Sequence, residues 1–312
     1  MYPIRFENLY FEKIWGGRAL DKFRENLPDG LIGESWDIAC HPNGTGIVEN
    51  GYLKGKRFNE LIELYGEEFL GKNVDKDNFP LLIKLINSRE KLSVQVHPGD
   101  EYAKKNENQL GKTEAWYIVD AEEGAYIIVG IKPCTKDEFK NAIEEGNVEE
   151  YLNKVPVKKG DAFLINSGLV HAICEGVVIA EIQQNSDVTY RVYDYGRPRE
   201  IHVEKALDVI NFNEKSEKIQ AEVTSFEGYT KEELCSSDYF VIERYKISSE
   251  FNEESNQDRF EMITIVEGSG EIINNNYIIK VATGDSILIP ACIGKYKVRG
   301  ELTILKSYPS VK

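Results

Sequence analysis

The 312-residue chain has no long apolar run, no excess of positive charge and no paired cysteine motif. Its apolar stretches, such as 79–85, are short and broken by lysine (Lys84), so none reaches the roughly 20 residues that a membrane-crossing helix needs. Only 38 Lys and Arg stand against 53 Asp and Glu, a net charge of −15. A surface that tracks nucleic-acid phosphates needs the opposite balance, which excludes that class of partner. A chain of this composition that binds an anion must gather its few cations into one pocket. The five cysteines, Cys40, Cys134, Cys174, Cys235 and Cys292, are odd in number, widely spaced and free of C-x-x-C. They fit reduced thiols better than a disulfide framework. The start, Met1-Tyr-Pro-Ile-Arg-Phe-Glu, carries charge where a signal peptide needs an apolar stretch, so a cytoplasmic location is expected.

What is present is mostly short strands bounded by Gly, Asn, Asp and Pro: 79–85, 92–96, 115–119, 125–129, 162–165, 177–183, 240–247, 262–266, 277–281 and 286–289. Two stretches read as helices inserted among them, at about 57–72 and 133–156. In the first, Leu61, Ile62, Leu64, Tyr65 and Phe69 share one face at spacings of three and four. The second opens on Thr135 with Glu138 three residues on, a capping box. An internal repeat sets the fold class. Gly160-Asp-Ala-Phe-Leu-Ile resembles Gly284-Asp-Ser-Ile-Leu-Ile, and Glu114-Ala-Trp-Tyr-Ile-Val resembles Glu261-Met-Ile-Thr-Ile-Val. The expected fold is mainly β, one small barrel present twice, with the first copy enlarged by the helical insert. The expected units are 1–235, carrying the chemistry, and 236–312.

Histidine decides where chemistry can sit. The four are His41, His97, His171 and His202, so nothing after residue 202 offers an imidazole. In Ser93-Val-Gln95-Val-His97 the alternation of a strand puts Ser93, Gln95 and His97 on one side. Glu114 opens a later strand after a polar loop, and His171 follows the turn Asn166-Ser-Gly. Two imidazoles, a carboxylate and an amide oxygen converging in a barrel suit a borderline divalent cation, Zn²⁺ being the common case. Taken singly, each of these residues is a satisfied barrel or surface side chain. Glu34, Trp36 and His41 fall in a turn-rich stretch that reads equally as a structural turn or a pocket lining, and His202 precedes a helix with no assigned role.

Gln95-Val-His97-Pro, Gly111-Lys112-Thr-Glu114, Gly168-Leu-Val-His171-Ala and Tyr190-Arg191-Val-Tyr-Asp-Tyr resemble the motifs of type I mannose-6-phosphate isomerases, closest to the short bacterial form. The likeness runs from Trp15-Gly-Gly and Gly33-Glu-Ser-Trp36 through Arg191. It implies cupin barrels with a helical subdomain, one zinc, and interconversion of mannose 6-phosphate and fructose 6-phosphate. It carries the zinc-ligand role to Gln95, His97, Glu114 and His171 and the catalytic-arginine role to Arg191. Lys84, Ser93 and Arg197 would hold the phosphate, and Arg suits it because its fork gives two aligned hydrogen bonds. The second barrel would be metal-free.

Aldose–ketose isomerisation moves a proton between two carbons through an enediol(ate), which asks for a base, an oxyanion partner and a phosphate handle. Lys112, Glu181 or a zinc-bound water are the candidate proton carriers. Glu181 is otherwise a substrate-binding candidate. Two other readings compete. His97, Glu114 and His171 are also a two-His-one-carboxylate set of the kind that holds Fe(II) in oxygenases; Gln95 and the cations Lys84, Lys112, Arg191 and Arg197 argue against it. A non-catalytic sugar-binding double cupin fits the degenerate second copy but not the equipped first one. The number of copies in the assembly is left open.

Overall fold

The computed structural model describes residues 1–311. Its first unit is a six-stranded antiparallel sheet in the order Ala162–Ile165, Glu114–Ala121, Val177–Gln184, Leu81–Ser88, Ile32–Ile38 and Leu9–Gly17. A five-stranded sheet faces it, in the order Leu152–Pro156, Tyr126–Ile131, His171–Ile173, Val94–Val96 and Tyr190–Tyr193. Trp116, Ile118, Phe163 and Ile179 from one sheet pack with Ile127, Val129 and Ile173 from the other. Period-two alternation sends Ala115, Tyr117 and Val119 to the opposite face, where they join Phe260, Met262, Leu288 and Leu305 of the second unit. Both faces of the six-stranded sheet are therefore covered. That is why Leu81–Ser88 and Val177–Gln184 are buried at every position and do not alternate apolar with polar.

The second unit repeats the strand order of the six-stranded sheet. Ser286–Ile289, Glu261–Asn274, Lys295–Pro309, Phe240–Ile247, Tyr229–Ser236 and Thr224–Phe226 follow in the same order as the first six-stranded sheet. The registers match as well: Glu114 pairs with Ile165, and Glu261 pairs with Ile289. The helix Lys136–Glu145 lies between Tyr126–Ile131 and Leu152–Pro156, where the second unit has only a tight turn between Asn274 and Tyr277. Strands Thr224–Phe226 and Tyr229–Ser236, on the N-terminal side of the expected border at 235, pair into the second unit's sheet, and Ile4–Arg5 pairs with Ile287 and Leu288.

The capping box forms as expected: Thr135 Oγ1 accepts from the Glu138 amide at 3.2 Å, and Glu138 Oε2 accepts from the Thr135 amide at 2.7 Å. The helix Phe58–Leu70 buries Phe58, Leu61, Ile62, Phe69 and Leu70, but Leu64 is 57% exposed rather than on the buried face. Gly66, at φ +46°, interrupts the helix, so the apolar spacing does not continue as one stripe. The polar loop before Glu114 contains a helix, Asp100–Glu107, which buries only Ala103 and so carries no apolar period. Among the described residues no helix is long and apolar enough to cross a membrane, and all five cysteines are unpaired.

Candidate active site

The site lies between the two sheets of the first unit. Three adjacent strands place Arg191, Gln95 and His171 in one cross-strand row, since Gln95 is the register partner of both others. Glu114 approaches from the facing sheet, and His97 follows the strand Val94–Val96. Residues 20 to 96 positions apart thus meet because pairing, not sequence proximity, sets the row.

His97, Glu114 and His171 form the one group of three metal-ligating side chains found among the described residues, all buried. His97 Nδ1 lies 2.9 Å from the Val188 carbonyl and His171 Nδ1 2.9 Å from the Leu169 carbonyl. A carbonyl only accepts, so each Nδ1 carries the proton and each Nε2 presents a lone pair. Those two Nε2 atoms are 3.1 Å apart. Glu114 Oε2 is 3.4 Å from His97 Nε2 and Oε1 is 3.5 Å from His171 Nε2. Both oxygens are buried and accept no hydrogen bond of normal geometry, although Lys112 Nζ comes within 2.8 Å of Oε2. Lys112 Nζ also lies 3.2 Å from His97 Nε2, so this ammonium is the cation that faces the two lone pairs and the carboxylate, and it reaches only one of the two rings. The donor set fits a metal. The Gln95 amide nitrogen is 3.3 Å from His171 Nε2 while Ser93 Oγ donates to its oxygen at 3.3 Å; turning the amide over presents oxygen to the same point.

Burial, then the Lys112 ammonium, pushes His97 down to about 3, so the ring stays neutral. Burial likewise lowers His171. Burial opposes charge on Glu114, but Lys112 and His97 outweigh it and hold the carboxyl well below the usual range. For Lys112, burial is outweighed by Glu114 and Glu181, so its pKa is raised and the side chain is an ammonium donor. Glu181 moves the other way: burial first, then Glu114, raises it. Its Oε2 accepts from Trp116 Nε1 at 3.0 Å, while Oε1 accepts nothing.

Beside this group opens a cavity of about 430 Å³. Of the residues expected from the sequence, Lys84, Ser93, Gln95, Lys112, Glu181 and Arg191 line it. Arg197 does not. It donates to the Lys91 and Asp194 carbonyls at 2.6 and 3.2 Å and pairs with Asp194 at 3.0 Å, outside the lining. Arg199, two residues on, lines the cavity instead, gripped by both oxygens of buried Asp194 at 2.6 Å. Arg199 was not among the residues expected from the sequence; both arginines pair with Asp194, and only Arg199 reaches the cavity. Glu34 and Trp36 sit on a strand rather than in a turn and also form the wall, as does Lys13. Glu34 takes Lys13 at 3.0 Å and Trp36 Nε1 at 2.8 Å. His41 packs edge-on to Trp36 and is not part of the wall. His202 braces Arg191: its Nδ1 accepts the Arg191 amide at 3.1 Å.

The comparisons with known proteins converge on one family. The phosphomannose isomerase type I catalytic domain matches residues 4–132, and the mannose-6-phosphate isomerase cupin domain matches residues 230–309. The mannose-6-phosphate isomerase ManA of Bacillus subtilis is 39% identical over 98% of each chain. The chain belongs to the type I phosphomannose isomerase family. A second relative of this phosphomannose isomerase family member, the mannose-6-phosphate isomerase of Streptococcus mutans, is 36% identical over 98% of each chain. The crystal structure of the mannose 6-phosphate isomerase from Bacillus subtilis superposes with a TM-score of 0.92 at 37% identity, covering 98% of this chain and 99% of that one.

The second copy of this family member carries the same framework with its charges exchanged. In the first unit Trp116 pairs with Glu181, which pairs with Lys84. In the second, Ile263 pairs with Lys306, which pairs with Glu243. Lys306 Nζ reaches Glu253 at 2.8 Å, Glu243 at 3.4 Å and Glu261, the counterpart of Glu114, at 3.6 Å. A buried ammonium thus stands in the second unit at the register position that Glu181 holds in the first.

Proposed function

We propose that this chain interconverts mannose 6-phosphate and fructose 6-phosphate by proton transfer through an enediol(ate), with one Zn²⁺ held by His97, Glu114, His171 and Gln95. The observation that carries the reading is the convergence of two Nε2 lone pairs and the Glu114 carboxylate beside a cavity whose wall has five cations, Lys13, Lys84, Lys112, Arg191 and Arg199, against three carboxylates, Glu34, Glu181 and Asp187. In a chain of net charge −15, this concentration of cations suits a phosphorylated sugar. When bound, zinc supplies a Lewis acid and a template for sugar oxygens.

The chain's own residues do the rest. Lys84, Ser93 and Arg199 hold the phosphate, and that binding energy orients the reacting carbons. Arg191 answers the negative charge that grows on the enediolate oxygen. Glu181 carries the proton between C1 and C2, because its Oε1 accepts no hydrogen bond at the cavity wall, with Lys84 Nζ 3.5 Å away, while the Lys112 ammonium lies 2.8 Å from Glu114. Lys112 donates to a sugar oxygen and keeps Glu114 ionised. The two-His-one-carboxylate set alone would equally serve Fe(II), and the cations weigh against it, since oxygenase chemistry has no general use for a phosphate handle.

A coupled assay with mannose 6-phosphate on purified protein, with metal content measured on the same sample, tests this. Turnover that tracks zinc content is expected. Absence of turnover in the zinc-loaded chain, or strict dependence on Fe(II) and O₂, overturns it.

A further inference from the structure

The strand Ile32–Ile38 has two faces. Glu34 and Trp36 form the cavity wall, while Ser35 and Asp37, 0% and 2% exposed, turn away from it. Asp37 stands where the pairing with Leu81–Ser88 slips: Trp36 is opposite Lys84, but Ile38 is opposite Ile83. Such a bulge re-aims the side chains around it and needs to be held. The Asp37 carboxylate is held from every side. Arg24 Nη2 donates to both oxygens at 2.8 Å, Asn8 Nδ2 donates at 2.7 Å and Ser35 Oγ at 2.8 Å. From the second unit, Ser286 Oγ donates at 3.0 Å, and Arg24 Nη1 in turn donates to the Gly284 carbonyl.

The second unit's part is not a by-product of the repeat. Gly160-Asp161 and Gly284-Asp285 open the same strand in the two copies, but the residue that follows is Ala162 in one and Ser286 in the other. The shared turn therefore does not demand the hydroxyl. Gly284, at φ +100°, also allows the close approach: a Cβ there would stand 2.8 Å from Phe23 Cβ and 2.9 Å from Arg24 Nη1.

We propose that the second unit is a positioning element for the sugar-phosphate pocket, acting through Ser286, Arg24 and Asp37 on the bulge that aims Glu34 and Trp36. Those two side chains, with Glu181, set the surroundings of Lys84, whose Nζ is 3.5 Å from Glu181 Oε1, 3.8 Å from Glu34 Oε2 and 5.0 Å from the centre of the Trp36 ring. The metal-binding group and Arg191 stand on other strands. Glu181 stands on the strand Val177–Gln184, so loosening the bulge acts first on how substrate is held at Lys84. The inference rests on the isomerase reading, and one of its readouts is independent of it.

The test compares wild type with Ser286→Ala, the residue the first copy has, and with Asp37→Asn. Loss of one hydrogen bond to a buried charge leads us to expect KM for mannose 6-phosphate to rise about threefold to tenfold in Ser286→Ala, with kcat and metal content unchanged. Asp37→Asn moves KM further in the same direction. Amide exchange over residues 32–38, measured without substrate, accelerates in both variants. KM within twofold of wild type in Ser286→Ala overturns the proposal, as does a parallel fall of kcat and melting temperature with KM unmoved. If Asp37→Asn does not fold, Ser286→Ala decides alone. If wild type itself fails to turn over mannose 6-phosphate, the isomerase reading falls, and the exchange measurement still decides whether Ser286 holds the strand.

Discussion

His97 and His171 point their unprotonated Nε2 atoms at each other across 3.1 Å, each ring locked by a carbonyl on its far side. The Lys112 ammonium sits against this group, 3.2 Å from His97 Nε2 and 2.8 Å from Glu114 Oε2, but it reaches only one ring, whereas a divalent cation would satisfy both.

Chelation is therefore expected to abolish isomerase activity and to lower the melting temperature, and Zn²⁺ to restore both. His171→Ala should lose the metal, read by elemental analysis. Retention of one equivalent of zinc in that variant removes His171 from the site.

Arg191→Ala should lower kcat by about two to three orders of magnitude with zinc content unchanged, the scale seen when a single oxyanion partner is removed. Near-normal turnover in steady-state kinetics excludes Arg191 from the mechanism.

Arg199 and Arg197 should separate. Arg199→Gln is expected to raise KM about tenfold or more, because it removes a cation from the wall. Arg197→Gln should leave KM nearly unchanged and lower stability, because it removes a donor from buried Asp194. Equal KM effects would contradict this division.

Glu34 links the pocket to acid stability. Burial works against its charge, but Lys84 and then Lys13 hold its pKa down to about 2, from an ordinary 4.5. In the unfolded chain the carboxyl takes up its proton first as pH falls. Its contribution is therefore complete above about pH 4.5 and is lost as pH drops toward 2. The contribution is on the order of 3 kcal/mol. Denaturant unfolding of wild type and Glu34→Gln at pH 7, 4 and 3 should show the difference shrinking toward acid. A constant gap would mean that Glu34 is not linked.

Lys306→Met should cost about 3–5 kcal/mol, because it leaves Glu243, Glu253 and Glu261 without their shared cation. Adding Glu243→Gln should recover part of the loss. Chemical denaturation of both variants checks the prediction, and additivity of the two losses would refute the coupling.

Much of this was legible before the structure. The repeat was readable because Gly-Asp and the alternating strand after it leave a local signature, and His97, Glu114 and His171 because imidazole is so scarce in the chain. The helix Asp100–Glu107 was not, since it buries a single alanine. Nor was the choice between Arg197 and Arg199, because two arginines two residues apart have the same local chemistry, and the turn around Asp194 alone sends one to the cavity.

The amino-acid order by itself determined that any imidazole ligand comes from the first 202 residues, since histidine ends there. Local composition fixes which side chains exist, and period-two alternation fixes which of them share a face. Only the tertiary structure decided that Arg191, Gln95 and His171 form one row, that Lys306 fills the second unit with a fixed charge, and that Ser286 reaches Asp37 from 249 residues away. Register and sheet packing join residues whose separation along the chain carries no trace of their contact, and those contacts exist only once the strands have paired and the two units have packed.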